Sequence, residues 1–383
     1  MPGSSQAPTP APATGGALDA ATAAKLQQII DHAAAAHHVP GISAAVLLSD
    51  GRSWTGLSGD RQLSPARPVD TGTDFAIASI TKTFVTAAIM QLVGDGQLSL
   101  DEPLSRWLPS FPDARHITVR ELLSHTSGIY NYFENPLYNG LVFSNPNRRW
   151  TFAQIMALVK TPYCAPGACY HYSNTNFVIL GRIVEVITGK PISSVIYGRL
   201  LAPDALDHTF FQPYDRTPAD AAHGFVYAGG PQVDVTGNSS VIPTMSSATV
   251  AWAAGAMVSS ATDLAHWATA LYGGDVVQAS LLAQMETAKA CHDYYGLGTR
   301  VYFFSGRRAV GHLGSLRGYI DEMWYFPHEG AAIVLLSNQG SWDADATVGR
   351  LSRALFAAIG APAPQYPTTL TTHAHDSVTL YCH

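Results

Sequence analysis

From Leu18 to Ala36 the apolar residues Leu26, Ile29, Ile30 and Ala33 return at helical spacing and Pro40-Gly41 stops the pattern, which predicts a first helix. Ile42 to Leu48 and Trp54 to Gly59 flank the turn residues Ser49-Asp50-Gly51-Arg52, a hairpin signal. In Ile80 to Val93 the residues Phe84, Val85, Ala88, Ile89 and Leu92 share one face, and Gly94-Asp95-Gly96 ends a helix apolar enough to be buried. Between about Leu98 and Val250, short helical patterns alternate with clusters of Pro, Gly and Asn. Thr151 to Lys160 opens on a Thr151/Gln154 capping box, and Asn174 to Thr188 turns Phe177, Leu180, Val184 and Ile187 inward with Gly189 as its cap. After Gly255 the pattern predicts helix Asp263 to Tyr272, strands at Gly298 to Phe304, Asp321 to Phe326 and Ala331 to Leu336, then helix Ala344 to Ile359. Strands at both chain ends with helices between them imply an α/β protein of two lobes, its sheet assembled from the chain ends and its site in the cleft. The division is a flexible leader at 1–17, a sheet lobe at 18–78 and 255–360, a mostly helical lobe at 79–254 and a tail at 361–383.

Composition narrows this to a packed globular enzyme: the chain has 383 residues, 47% hydrophobic and 13% charged. A net charge of -6 without a long basic run offers no footprint for nucleic acid. The longest strand-sized apolar run, Ala331 to Leu336, is far short of the roughly 18 to 20 residues of a spanning helix, so no membrane span is expected. Met1 to Gly16 carries no charge and is rich in Pro, Ala, Ser and Thr, as expected of a secreted or periplasmic protein whose signal peptide has given way to a start methionine; a cytosolic protein with a loose end is the alternative. Cys164 and Cys169 flank the turn Ala165-Pro166-Gly167-Ala168, and Cys291 with Cys382 would tie down the tail, although four reduced thiols fit the same letters.

Ser79-Ile80-Thr81-Lys82 lies where the strand-like Phe75 to Ala78 runs into the buried helix. Residues three apart share a helix face, so the Lys82 amine reaches the Ser79 hydroxyl. Burial and the helix dipole disfavour a charged lysine there, which predicts a lowered pKa and some capacity as a base. Serine needs such help to attack a carbonyl. The plain alternative is an N-cap serine followed by a surface lysine, but the chain has only five lysines and this is its single Ser-x-x-Lys. Tyr172-Ser173-Asn174 follows the Pro166-Gly167 turn and precedes a helix, where polar groups project into a cleft; an Asx cap beside a packed tyrosine reads the same. His312-Leu313-Gly314-Ser315 falls between two strand-like runs, and Gly314 would let a backbone N–H approach a ligand, unless this is an ordinary loop. Fifteen histidines suggest zinc, but His37-His38 and His373-Ala374-His375 lack ligand spacing; a G-x-S-x-G elbow is also missing, and no metal or organic cofactor is expected.

In order and spacing, these three elements resemble the serine beta-lactamase and DD-peptidase superfamily, most nearly the branch of class C beta-lactamases, Streptomyces-type D-alanyl-D-alanine carboxypeptidases, D-aminopeptidases and related esterases. The resemblance runs from Leu18 to Ile359, supported by Ser124-His125-Thr126-Ser127-Gly128, Tyr172 to Phe177, Gly255 to Ser260, Tyr295-Gly296-Leu297-Gly298 and Gly318-Tyr319. It implies the two-lobed serine beta-lactamase/transpeptidase-like fold, an antiparallel sheet flanked by helices plus an all-helical lobe. It implies Ser79 as acylated nucleophile, Lys82 as its activator, and Tyr172 as the proton shuttle to the leaving group. Asn174 would bind the acyl-side amide, and the N–H groups of Ser79 and Ser315 would form the oxyanion hole. His312 takes a position often held by lysine, lending polar or cationic character beside Tyr172. Arg300 matches an arginine that pairs with a substrate's terminal carboxylate, and Trp252 either lines the pocket or is a core aromatic. Leu313 stands where the subgroup has Thr, which puts strict carboxypeptidase specificity in doubt. The implied substrate is a small molecule or peptide with an amide or ester, beta-lactams included. The reading is a D-alanyl-D-alanine carboxypeptidase-like or other D-amino-acid-directed peptidase, with a beta-lactamase, an esterase or acyltransferase, or a penicillin-binding receptor without turnover as rivals.

Overall fold

The computed structural model describes residues 15–214, 221–237, 241–289, 292–369 and 379–380. In chain order its elements begin with α1 (Ala20–His37), β1 (Gly41–Leu48), β2 (Ser53–Leu63), β3 (Ala66–Pro68), β4 (Phe75–Ala76) and α2 (Thr81–Gly94). The middle holds α3 (Val119–Leu123), α4 (Tyr138–Phe143), α5 (Phe152–Met156), β5 (Tyr170–His171), α6 (Asn174–Thr188), α7 (Ile192–Ile196), β6 (Thr209–Phe211), β7 (Phe225–Val226), β8 (Val233–Asp234) and α8 (Met245–Ala251). Then come β9 (Met257–Ser259), α9 (Ala261–Gly273), α10 (Ala279–Met285), β10 (Arg300–Phe304), β11 (Arg307–Leu316), β12 (Tyr319–Phe326), β13 (Ala331–Ser337), α11 (Asp345–Ala358) and β14 (Thr379–Leu380).

Seven strands form one antiparallel sheet in the order β10-β11-β12-β13-β1-β2-β3, so the chain ends do build it together. Every residue of β13 is buried, because helices cover both faces; a continuous apolar run such as Ala331 to Leu336 reflects this. On one face, Leu26 and Ile30 of α1 and Leu351 and Leu355 of α11 share a core with Ala44 and Val46 of β1. On the other, α9 packs on β1 and β13 and joins the larger core that contains α2 and α6. Eleven residues of α2 are buried, and its Phe84 ring stacks on Trp267 of α9 at 4.1 Å while Trp267 donates to Thr83 Oγ1 at 2.9 Å. The helix that follows Ser79 is thereby fixed from all sides.

Two expectations change. The helix predicted for Thr151 to Lys160 keeps both capping-box bonds but ends at Met156, since the next turn tightens through Leu158 N–H to Ile155 O and Val159 N–H to Met156 O, and Pro162 cannot extend it. His312 to Ser315 is not a loop but part of β11, an inner strand. Its glycines sit where backbones crowd: a Cβ on Gly311 would stand 1.9 Å from Met323 O. Cys164 and Cys169 form a disulfide. The pair Cys291 and Cys382 lies outside the described residues, as does the leader up to residue 14. Among the described residues no helix is long and apolar enough to cross a membrane.

Candidate active site

β4 does not join the large sheet but pairs with β9, and this short pairing aims the chain into the turn that carries Ser79. Ala78 has φ 43°, in the left-handed region, which costs a non-glycine residue about 1–3 kcal/mol and persists only where neighbours enforce it. They do: Ile77 N–H donates to Met257 O at 3.0 Å, Met257 N–H to Thr81 Oγ1 at 3.1 Å, and Ile80 N–H to Ile77 O at 3.0 Å. From the other side β11 presses on the turn. A Cβ on Gly314 would lie 2.4 Å from Ile77 O, so only glycine lets the strand approach this closely. The next residue, Ser315, is exposed and brings its backbone beside the Ser79 turn.

Lys82 is fully buried, and its three N–H donors have three acceptors: Ser79 Oγ at 2.9 Å, Asn174 Oδ1 at 2.8 Å and Ala254 O at 2.6 Å. The expected Ser79–Lys82 pairing is thus present, and it extends to Asn174. Asn174 is not a helix cap: Ser173 precedes the helix, and the Asn174 side chain turns inward, its Nδ2 donating to Asn131 Oδ1 at 3.3 Å. Tyr172, the residue after β5, is buried, with Lys82 Nζ 5.1 Å and Arg300 Cζ 5.5 Å from its ring centre. Two cations so close, at low local dielectric, stabilise negative charge developing on a phenol oxygen.

His125, singled out above only as part of Ser124 to Gly128, underlies this loop. Its ring lies 4.2 Å from that of Tyr172, and Nδ1 accepts from Ser173 N–H and Asn176 Nδ2, both at 3.2 Å. Its backbone is again left-handed, φ 58°. Burial, then the charge of Lys82, holds its pKa well below the usual range, so the imidazole is neutral.

His312 is also buried and neutral, pushed down by burial first and then by Arg300 and Lys82. Of the polar or cationic character expected at this position, the neutral ring supplies the polar one. Nδ1 donates to Leu313 O at 2.6 Å and Nε2 accepts from Tyr295 O–H at 2.9 Å. Because folded His312 refuses the proton that the unfolded chain accepts below about pH 6.5, its contribution to stability is lost as pH falls from there toward the folded pKa. Relative to wild type, His312→Gln should therefore gain about 2 kcal/mol of stability between pH 7 and pH 5. Urea unfolding of both proteins at both pH values checks this; equal shifts would mean that folded His312 takes the proton.

Arg300, at the start of β10, is 2% exposed and donates to Asp293 Oδ2 at 2.9 Å rather than facing open solvent. Trp252 packs against α6, its Cζ3 3.2 Å from where a Cβ of Gly181 would be, and behaves as a core aromatic. An apolar cavity of about 460 Å³ between Trp107, Phe111, Tyr130 and Met156 contains none of Ser79, Lys82 and Tyr172, so cavity size is no guide to the chemistry. Among the described residues no group of three or more His, Cys, Asp or Glu is placed to hold a metal. Asn131, Ala254 and Asp293 escaped sequence reasoning, and Tyr295 entered it only as part of Tyr295 to Gly298; each meets its partner through long-range folding or an irregular loop.

The family model described as Beta-lactamase matches residues 26–358. A D-aminopeptidase of Cereibacter sphaeroides is 27% identical over 319 residues, 82% of this chain and 58% of that protein. Penicillin-binding protein 4 of Amycolatopsis lactamdurans is 28% identical, with 82% of this chain and 84% of that protein covered. The chain spans about three fifths of the length of the D-aminopeptidase. Among solved structures, the D-amino acid amidase from Ochrobactrum anthropi SV3 with L-phenylalanine amide superposes with a TM-score of 0.78 at 28% identity, over 89% of this chain and 100% of that one. A D-stereospecific amidohydrolase from Streptomyces sp. gives 0.75 at 30% identity, over 85% and 97%.

Proposed function

The chain belongs to the beta-lactamase family, and on that footing we propose that it is a serine hydrolase that cleaves amides or esters of D-amino acids through an acyl-enzyme on Ser79. One observation carries the reading: a single buried amine, Lys82 Nζ, touches both Ser79 Oγ and Asn174 Oδ1 beside Tyr172. Ser79 Oγ attacks the substrate carbonyl as its proton passes to Tyr172 Oη, which enters the cycle as a phenolate beside Lys82 and Arg300 and becomes the neutral phenol. The tetrahedral oxyanion rests on the backbone N–H groups of Ser79 and Ser315, each such donor being worth on the order of 10² to 10³ in rate. Collapse expels the amine or alcohol, which takes the proton from Tyr172. Water then attacks the Ser79 ester with Tyr172 as base, releasing the acid and regenerating the hydroxyl. Lys82, with its donors committed, holds Ser79 and Asn174 and supplies positive charge.

Relatives and neighbours support a D-amino-acid amide as substrate. Leu313 and the engaged Arg300 speak against the carboxypeptidase reading. The Cys164–Cys169 disulfide supports a secreted or periplasmic location, where such bonds persist. A second reading, acylation by beta-lactams, is favoured by the likeness to a penicillin-binding protein.

The test is to incubate the protein with D- and L-phenylalanine amide, following ammonia release, and separately with benzylpenicillin, following intact mass. Ammonia from the D-enantiomer is expected. A persistent penicillin adduct mapping to Ser79 would identify a penicillin-binding peptidase, penicillin destruction without an adduct a beta-lactamase. If no substrate is consumed and no adduct forms, the hydrolase reading fails.

A further inference from the structure

Among the described residues, His125, His312, Lys82 and Arg300 lie against the Tyr172 ring and are capable of positive charge, and the structure leaves none of these four open to a substrate carboxylate. His125 and His312 are buried and neutral. Lys82 directs its three donors to Ser79, Asn174 and Ala254. Arg300 lies with its guanidinium 5.5 Å from the Tyr172 ring centre and 5.3 Å from that of Tyr295, and it is bound to Asp293 in a pair whose side chains are only 2% and 6% exposed. In the turn just past the end of β11, Arg317 stacks on Phe143 at 4.8 Å.

The loop before β10 is built to deliver Asp293. Asp293 and Tyr294 both have left-handed backbones, φ 51° and 52°, which non-glycine residues adopt in succession only under constraint. The constraint is a set of backbone bonds: Tyr294 N–H to Lys289 O at 2.9 Å, Val301 N–H to Tyr294 O at 2.8 Å and Gly296 N–H to Thr299 O at 2.8 Å. Tyr295 bridges antiparallel to Arg300, which folds Asp293 back over the guanidinium.

We infer that Asp293 is a specificity-determining positioning residue: it occupies and neutralises the guanidinium that would otherwise hold a substrate's terminal carboxylate, and so restricts the leaving group to uncharged amines and alcohols. The inference rests on the hydrolase reading above. A carboxylate brought beside Tyr172 meets the Asp293 charge and no available fork of donors, whereas a carboxamide or ester meets neither penalty.

The test uses a matched pair, D-phenylalanyl-D-alanine and D-phenylalanyl-D-alaninamide, which differ only in the terminal carboxylate. Wild type should favour the amide-terminated peptide in kcat/KM by roughly 10- to 100-fold, the scale of charge-assisted hydrogen bonds. Asp293→Asn preserves shape, removes the Asp293 charge from beside Arg300, and should move the ratio toward the acid by a similar factor. Adding Arg300→Met to Asp293→Asn should return the ratio toward that of wild type. A purely structural role for Asp293 would lower both rates and leave the ratio unchanged, which would overturn the inference. If the variants fail to fold, wild type alone decides: equal or better cleavage of the free acid overturns it, and clear preference for the amide upholds it. Absence of turnover and of Ser79 acylation with either peptide would bring down the hydrolase reading, and this inference with it.

Discussion

Ser79→Ala should yield a folded protein with no turnover of any D-amino-acid amide and no covalent adduct with benzylpenicillin. Losing the nucleophile of a serine triad lowers kcat by about 10⁶, and a loss of at least 10⁴ is expected here. Structurally the change is mild. The half-buried Ser79 hydroxyl is one of three acceptors on Lys82, and the other two, Asn174 Oδ1 at 2.8 Å and Ala254 O at 2.6 Å, remain. Alanine fits the 3-10 turn, whose conformation depends on Ile77, Thr81 and Met257 rather than on the Ser79 side chain. The urea midpoint should therefore stay within about 1 kcal/mol of wild type in free energy, the net worth of a single hydrogen bond. Intact mass, kcat and the urea midpoint, measured on the same preparation, check all three expectations. Turnover within tenfold of wild type, in a protein of normal stability, would mean that another group attacks the carbonyl.

The Ser79–Lys82 pairing was legible because two local signals coincide in Ser79 to Lys82: a helical face fixed by spacing, and an apolar run long enough to announce burial. The large sheet was legible for a similar reason. Ala331 to Leu336 and Ile42 to Leu48 are long, apolar and bounded by turns, and they pair with each other as central strands. Strands of two or three residues, such as β5 and β9, are shorter than any period that could reveal them, yet β9, by pairing with the strand-like segment that holds β4, sets the direction of the Ser79 turn. His312 to Ser315 could be read as an ordinary loop because Gly314 resembles a breaker, when its task is to let backbones touch. The partner of Arg300 was hidden for the opposite reason. Asp293 and Tyr294 take left-handed conformations with no glycine to mark them, so nothing in the letters announces the turn that pairs Asp293 with Arg300. Neutral His312 could not be told from a charged one without its burial and its two hydrogen-bond partners.

Tyr172→Phe should separate proton transfer from packing. The ring is buried against His125 at 4.2 Å and Tyr295 at 5.9 Å, with Lys82 and Arg300 over its faces, and phenylalanine keeps every one of those ring contacts. Only the hydroxyl is lost. If Tyr172 carries the proton from Ser79 to the leaving group, kcat falls by about 10² to 10⁴, the range for a general acid-base group. That corresponds to about 3–5 kcal/mol of barrier. The loss should depend on the leaving group, since an amine must be protonated to depart while an activated phenol leaves unaided. A D-phenylalanine amide should thus suffer more in acylation than the matching nitrophenyl ester. Deacylation needs the same group to activate water, so with the ester the variant should accumulate an acyl-enzyme on Ser79, seen as a burst of phenol followed by a slow phase. Equal losses for amide and ester, with no burst, would assign the hydroxyl to holding the substrate and leave the proton to Lys82.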